Sequence, residues 1–317
     1  MTTPLAAVCC GDEMAAQAAE IWSGCSYSCR YPCLPVARSW ARRFGDPSSD
    51  WGTAETTPRV RHGDVLNLTG LAELQAAGGY APPVFLSLLS DCYPVSEERA
   101  NVTRWTIREL HRHGVGVRVL TKSGTRAVRD FAPDFPDGLG SHPDDAYGAT
   151  LTFLDDDDSR RWEPRAALPA ERMDGLQEAH RRGLPTWASL TPVIDPVQAL
   201  DLIRATAPYV GLYTIGAVEA DDILGDSPPR PEAPEFSWAA FAAEAADLCR
   251  RLDVPCFVRA AGMVGAESTS AVAQLDRIMC RDLWKATCEA RRPTWQATSD
   301  EHREKFFATM GEARHRV

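Results

Sequence analysis

The sequence lacks any uninterrupted apolar run of about 18 residues, which argues against a membrane-spanning helix. Its opening, MTTPLAAVCCGDEMAAQ, lacks a basic stretch followed by an apolar core, so it does not read as a secretory leader. An excess of positive charge is also missing: 34 Lys and Arg against 44 Asp and Glu leave a net charge of −10. A general polyanion-binding surface is therefore not expected, although a local basic groove is compatible with that balance. No internal repeat of solenoid period is found. The cysteines are not spaced as in a small secreted scaffold, and a 317-residue chain builds its core without staples. These absences lead to the expectation of a soluble, cytoplasmic globular protein with no membrane partner, made of one large domain or two ordinary ones.

What the chain does have is cysteine, ten in all. In a reducing compartment, clustered cysteines bind metal or carry redox chemistry more often than they pair, whereas scattered ones such as Cys249 and Cys256 read as small apolar core residues. The cluster is GCSYSCRYPCLP, residues 24–35, with Cys25, Cys29 and Cys33 spaced four apart. No regular helix or strand aims three such neighbours at one point, but a loop containing Gly and Pro can. Thiolates so gathered suit three irons of a [4Fe–4S] cluster, leaving the fourth iron open. A structural zinc site is a second reading, with its fourth ligand from Cys9, Cys10 or a distant histidine. Three unrelated core cysteines are a third. Spacing alone leaves all three open.

From residue 80 onward, apolar runs alternate with helical patterns. Strands are expected over 83–90, 115–123, 147–155, 184–194, 209–216 and 254–262. Helices are expected over 96–114, with Ser96 as N-cap and Gly114 as stop, and over 168–183, 195–208 and 237–252. Such alternation predicts a parallel sheet with covering helices, either doubly wound or closing toward a barrel. In both forms chemistry sits at the carboxyl ends of the strands. The polar residues fall there: Ser90 and Asp91, Lys122 and Ser123, Thr152 and Asp155, Thr191 and Gly216. Residues 46–64 read as a loop, 68–79 as a short helix, 226–235 as a Pro-rich surface loop, and 264–317 as a polar tail, helical in parts.

In order along the chain, GCSYSCRYPCLP, LSLLSDCYPVSEERANVTRWTIREL, VRVLTKSGTRAVRDF, the segment from GATLTFLDDDD to TPVID, and SWAAFAAEAADLCRRLDVPCFVRA resemble the radical S-adenosylmethionine superfamily, within it the spore photoproduct lyase-like branch. The resemblance covers about residues 20–262. It implies an α/β fold, a partial (β/α)6 TIM-type barrel of parallel strands over residues 1–262, followed by a C-terminal tail, 263–317. It also implies a [4Fe–4S] cluster on Cys25, Cys29 and Cys33, S-adenosylmethionine as second cofactor, and a reductant such as flavodoxin or ferredoxin as partner. The reaction implied is reductive cleavage of S-adenosylmethionine to a 5′-deoxyadenosyl radical, which abstracts hydrogen from a substrate. A nucleobase, nucleotide or nucleic-acid substrate follows only from the branch.

Two departures qualify this. The family spacing is Cys-x3-Cys-x2-Cys, and here Pro32 stands at the third position with Cys33 one residue later. Either the loop detours rigidly to bring Cys33 to iron, since Pro fixes its own φ and restrains Tyr31, or the loop no longer holds a cluster. In the second case the chain is a non-catalytic member binding a ligand or partner on the same scaffold. Moreover, Leu88 stands where true spore photoproduct lyases carry their hydrogen-donating thiol, with Cys92 on the other side of the Ser-Asp pair, so the chain is not expected to be such a lyase.

The resemblance places Ser90 and Asp91 near the methionine amino end of the cofactor. Lys122 pairs with the methionine carboxylate, Thr152, Glu163 and Arg172 reach the ribose and carboxylate, and Tyr31 shields the cluster. Plainer readings stand beside each. Ser90 and Thr152 satisfy backbone groups, Glu163 forms a surface pair with Arg165 worth little, and Arg172 is an exposed helix residue. Lys122 is the strongest of the set, because a lysine at the end of a parallel strand is costly unless something pairs with it. LDDDDS (154–159) tempts a magnesium reading, but four adjacent aspartates cannot all face one ion, so a turn leading into a helix N-terminus fits better. Cys280 and Cys288 lie about two helical turns apart in the tail, too few ligands for an auxiliary cluster. RRPTW (291–295) could touch a nucleic acid through Arg and Trp, but one short segment is thin and a packed tail is the better explanation.

Overall fold

The computed structural model describes residues 17–19, 21–23, 25–31, 59–60, 83–87, 90–217 and 237–258. Seven parallel strands form one sheet in chain order: β1 (Gln17–Ala19), β4 (Val84–Leu86), β5 (Val117–Thr121), β6 (Ala146–Thr150), β7 (Thr186–Val193), β8 (Tyr213–Ala217) and β9 (Cys256–Val258). Between β1 and β4, β2 (Trp22–Ser23) and β3 (Arg59–Val60) form a separate antiparallel pair. All six strands expected from the alternation are present. β1 is the seventh, in a three-residue QAA stretch that carries no strand signal. Among the described residues β1 and β9 end the sheet and do not pair with each other, so the barrel is partial, as expected.

The expected helix over 96–114 is two helices, α1 (Glu97–Ala100) and α2 (Val102–Arg112). Asn101 separates them with a left-handed φ of 53°, a conformation Asn tolerates better than most residues. Ser96 makes no side-chain cap. Instead the buried Glu97 carboxylate folds forward to accept from the amides of Val102 and Thr103, at 3.1 and 3.0 Å, capping α2. Gly114 stops the pair as expected, with φ 71°. A 3₁₀ helix, Gly124–Asp130, follows β5.

The remaining helices start from readable signals. Asp155 caps α3 (Asp156–Trp162) by accepting from the amides of Asp157 and Asp158, so the acidic run is the turn and helix N-terminus expected. Pro169 opens α4 (Pro169–Arg181), and Glu171 reaches back to the Leu168 amide at 2.9 Å. Asp195 caps α5 (Pro196–Thr206), and Ser237 caps α6 (Trp238–Arg251). No helix among the described residues is long and apolar enough to cross a membrane.

Strand alternation divides the sheet into two faces. Val117 and Val119 of β5, Tyr147 and Ala149 of β6, Ala188 and Leu190 of β7, and Tyr213 and Ile215 of β8 pack with Ile107, Leu176, Leu202 and Phe241 of the covering helices. Cys92, Cys249 and Cys256 lie in this core. The opposite, inner face carries a separate cluster, Phe85, Ala146 and Trp187, with Leu120 and Leu212 against it. No helical residue contributes to it, so this is the concave side of the partial barrel.

Candidate functional site

The site lies where the cysteine loop meets the carboxyl ends of β4, β5 and β6. Residues 25–31 are docked by two backbone hydrogen bonds: the Arg30 amide donates to the Trp162 carbonyl at 2.8 Å, and the Arg165 amide donates to the Tyr27 carbonyl at 3.2 Å. Ser28 takes a left-handed φ of 56°, which folds the loop back between Cys25 and Cys29. Cys29, Tyr27 and Tyr31 pack with Phe153, Trp162 and Ile194, and Cys25 lies against this cluster.

Two tyrosines fasten the loop in opposite directions. The Tyr27 hydroxyl donates to the Tyr93 carbonyl at 2.7 Å and lies 3.5 Å from Asp91 Oδ1, and Arg126 donates to the same Tyr93 carbonyl at 3.0 Å. The Tyr31 hydroxyl donates to Glu163 Oε1 and lies 3.5 Å from Thr152 Oγ1, which itself donates to Glu163 at 3.3 Å. Tyr27 thus ties the loop to the β4 side and Tyr31 to the β6 side.

Asp91 joins the strand ends. Its carboxylate accepts from the Tyr93 amide at 2.8 Å, the Thr121 hydroxyl at 2.7 Å and the Lys122 amide at 2.9 Å. Ser90 Oγ donates to the Trp22 carbonyl at 3.0 Å. Lys122 carries its ammonium 5.5 Å from the centre of the Tyr31 ring, within cation–π range.

Glu163 and Arg172 are each 1% exposed and pair at 2.6 Å. Arg172 also donates to the carbonyls of Ala167 and Thr150, at 2.7 and 3.0 Å. The surface pairing of Glu163 with Arg165 and the exposed Arg172 are therefore not what is observed. Burial works to raise the Glu163 pKa, but Arg172, Lys122 and the Tyr31 hydroxyl together hold it below the usual carboxylate range. Burial likewise works to lower the Arg172 pKa, and Glu163 keeps it raised.

Lys122, Thr152, Glu163, Arg172 and Tyr31 thus converge on one face of the cysteine loop, with Asp91 and Ser90 on the other. Tyr27, Tyr93, Arg126 and Trp162 belong to the same assembly and were not singled out in the sequence. Tyr27 carried a usable signal, a second tyrosine four residues before Tyr31 in the same loop. Pro32, Cys33 and Leu88, together with Cys9, Cys10, Cys280, Cys288, residues 291–295 and the 262/263 boundary, lie outside the described residues.

The donor set fits a soft metal centre. Burial first, then the neighbouring Cys29 and Asp91, push the Cys25 thiol up to about 12, against the Tyr27 amide and Lys122. The Cys25 thiol, whose ionisation is opposed by burial and by Cys29, would be stabilised as a thiolate by a neighbouring cationic centre. Among the described residues no group of three or more His, Cys, Asp or Glu is gathered as a metal site. A third sulfur from Cys33 would complete the set.

No family model matches the chain, and no curated protein matches it in sequence. Solved structures do. A mutant of spore photoproduct lyase with bound AdoMet and dinucleoside spore photoproduct superposes with a TM-score of 0.56 at 12% identity, over 80% of this chain and 78% of that one. The chain has the spore photoproduct lyase fold. A second mutant of that lyase gives 0.52 at 13% identity, over 78% of this chain and 77% of its own. Streptococcus suis SuiB gives 0.51 at 8% identity, over 81% of this chain and 51% of its own. At these identities the likeness is one of fold, and it agrees with the partial barrel that the sequence motifs imply.

Proposed function

We propose that the protein is a radical S-adenosylmethionine enzyme. The observation that carries this reading is the docking of the Cys25–Tyr31 loop at the strand ends. There, two tyrosines hold Cys25 and Cys29 beside Lys122 and the buried Glu163–Arg172 pair. Cys25, Cys29 and Cys33 would hold a [4Fe–4S] cluster, whose chemistry would be one-electron reductive cleavage of S-adenosylmethionine to a 5′-deoxyadenosyl radical.

The chain's own residues bind, orient and exclude water. Lys122 faces the methionine carboxylate as a point charge on a flexible stem. Glu163 accepts from the ribose hydroxyls and the Thr152 hydroxyl accepts from or donates to them, and Arg172 keeps Glu163 ionised so that it stays an acceptor. Ser90 lies toward the methionine amino end. Asp91 is a positioning residue that fixes the Lys122 backbone. Tyr31, Phe153 and Trp162 keep water from the sulfurs. A one-electron donor of flavodoxin or ferredoxin type is the partner required. A nucleobase or nucleotide substrate is carried here as part of the proposal, supported by the dinucleoside spore photoproduct bound to the similar lyase.

Anaerobic purification with iron and sulfide counts tests it. The expected result is a brown protein with about four irons that cleaves S-adenosylmethionine under dithionite. Cys25→Ala, Cys29→Ala and Cys33→Ala should each lose the colour. Protein that stays colourless after reconstitution overturns the reading and favours a ligand-binding role for the same scaffold.

A further inference from the structure

The segment CRRLDVPC (249–256) joins the last turn of α6 to the first residue of β9. Its turn brings the two ends together. Asp253 takes a left-handed φ of 57°, and the Val254 amide donates to the Cys249 carbonyl at 3.0 Å. The chain doubles back, and β9 starts beside the helix end it has just left. Cys249 continues the buried stripe of α6 after Ala242 and Ala245. Cys256 is level with Tyr213 of β8, on the outer face of the sheet, and both cysteines belong to the main core. Their thiols lie within hydrogen-bonding reach, with the Cys249 S–H donating to the Cys256 sulfur.

The two sulfurs are not equivalent. The hydrogen bond from Cys249, helped by Arg250 and opposed by burial, holds the Cys256 thiol below its ordinary value. The same bond, and then burial, pushes the Cys249 thiol up. One member is thus prepared to be a thiolate while the other keeps its proton, as the attacking and resolving thiols of disulfide exchange are. Cys256 is also the more exposed, 5% against 1%. It opens a three-residue strand that, among the described residues, pairs only with β8. A short strand at a sheet edge opens locally more readily than the core does, which gives a reagent its route to the sulfur. Because β9 begins at Cys256 and the sheet is parallel, the pair lies at the amino-terminal rim, opposite the cysteine loop at the carboxyl ends.

We propose that Cys249 and Cys256 form a second redox-active site, a dithiol that exchanges with small-molecule disulfides of the glutathione type. The Cys256 thiolate attacks one sulfur of the disulfide, whose S–S bond breaks to release a first thiolate. Cys249 then attacks the Cys256 sulfur of the mixed disulfide, the Cys249–Cys256 bond forms, and the second thiolate leaves. Two protein thiols are oxidised and one disulfide is reduced to two thiols. The two cysteine protons pass through solvent to the released thiolates. The new bond staples the end of α6 to the edge strand. The site shares no residue with the cysteine loop and stands whether or not that loop holds a cluster.

Peptide mapping of the native full-length protein tests this, after equilibration in mixtures of oxidised and reduced glutathione and quenching with N-ethylmaleimide. Arg250 and Arg251 lie between the cysteines, so trypsin separates their peptides unless a disulfide joins them. The joined pair should grow with oxidised glutathione, in at least about 10-fold excess over any link from either cysteine to another, and vanish with dithiothreitol. Cys249→Ala should trap glutathione on Cys256, whereas Cys256→Ala should leave Cys249 unmodified. Oxidised wild type should unfold at a higher temperature than reduced wild type, since the link constrains only the unfolded chain. The proposal is overturned if no joined pair forms at about 100-fold excess of oxidised over reduced glutathione. Glutathione trapped on Cys249 instead of Cys256 overturns it as well, as does a thermal midpoint that falls on oxidation. The wild-type map and midpoint decide the matter even where a variant does not fold. S-adenosylmethionine cleavage is measured separately, so a negative result here leaves the enzymatic reading standing.

Discussion

The two faces of the one sheet differ in kind. On β5, Val117 and Val119 turn outward into the helix-covered core, while Arg118, Leu120 and Lys122 turn inward. On β7, Ala188 and Leu190 turn outward, and Trp187, Ser189 and Thr191 inward. Alternation by single residues thus gives one strand two tasks. The outer face removes apolar side chains from water, worth about 1.5–3 kcal/mol for each large one. The inner face carries hydroxyls, and at its carboxyl-terminal edge a lysine and a buried ion pair stand beside it. Groups of that sort lower stability and are retained where a ligand or a reaction needs them.

The sharpest way to break that division is to remove one member of the buried pair. Glu163→Ala leaves the Arg172 guanidinium buried and uncompensated, and should cost about 3–5 kcal/mol in urea denaturation. A surface pair would cost about 1 kcal/mol or less, so a small loss would mean that the mouth of the barrel is wet. On the outer face, Leu202→Ala removes a fully buried side chain from the main core and should cost about 2–5 kcal/mol. It should leave S-adenosylmethionine cleavage per folded molecule unchanged, whereas Glu163→Ala should not.

Glu97 sharpens the comparison through pH. It belongs to the outer, helical layer, yet it is a buried carboxylate. Burial, only partly offset by the Thr103 and Arg104 amides and Arg129, pushes its pKa up to about 7. Between the unfolded carboxylate value of about 4.3 and pH 7, the folded protein keeps a proton that the unfolded chain has released. The contribution is full below about pH 4.3 and is lost as pH rises through 7. Stability should fall across that window by up to about 4 kcal/mol, at no more than about 1.4 kcal/mol per unit. Glu97→Gln should flatten this part of the profile, read as urea midpoints from pH 4 to 8.

Much of this was legible in the sequence because the signals were local. The six apolar runs and the Asp155, Asp195 and Ser237 caps each depend on a few neighbouring residues. Glu163 and Arg172 could be named from their motif, but not their pairing, since nine residues and a turn separate them and Arg165 is nearer in sequence. The split at Asn101 was hidden because a helical pattern continues across it and only the backbone angle breaks. β1 was hidden because three small or polar residues carry no period. The row that Thr150, Ser189 and Thr214 form across β6, β7 and β8 was invisible for another reason: each hydroxyl is ordinary on its own strand, and only the register between strands aligns them.

The smallest expected effect tests how the cysteine loop is held. Tyr27→Phe removes one hydroxyl, while the Tyr93 carbonyl keeps its bond from Arg126. The stability loss should therefore be modest, about 0.5–1 kcal/mol. The loop should respond more than the fold does. Cys29 is 5% exposed in the docked loop, so alkylation by iodoacetamide in metal-free protein requires local opening. With the β4-side tether gone, that opening should become several-fold more frequent, and mass spectrometry of Cys25 and Cys29 should show faster labelling. Tyr31→Phe should act similarly from the β6 side and also loosen Glu163. Equal labelling rates in all three proteins would mean that the backbone bonds to Trp162 and from Arg165 suffice to dock the loop. The tyrosines would then serve the ligands beside it rather than the loop itself.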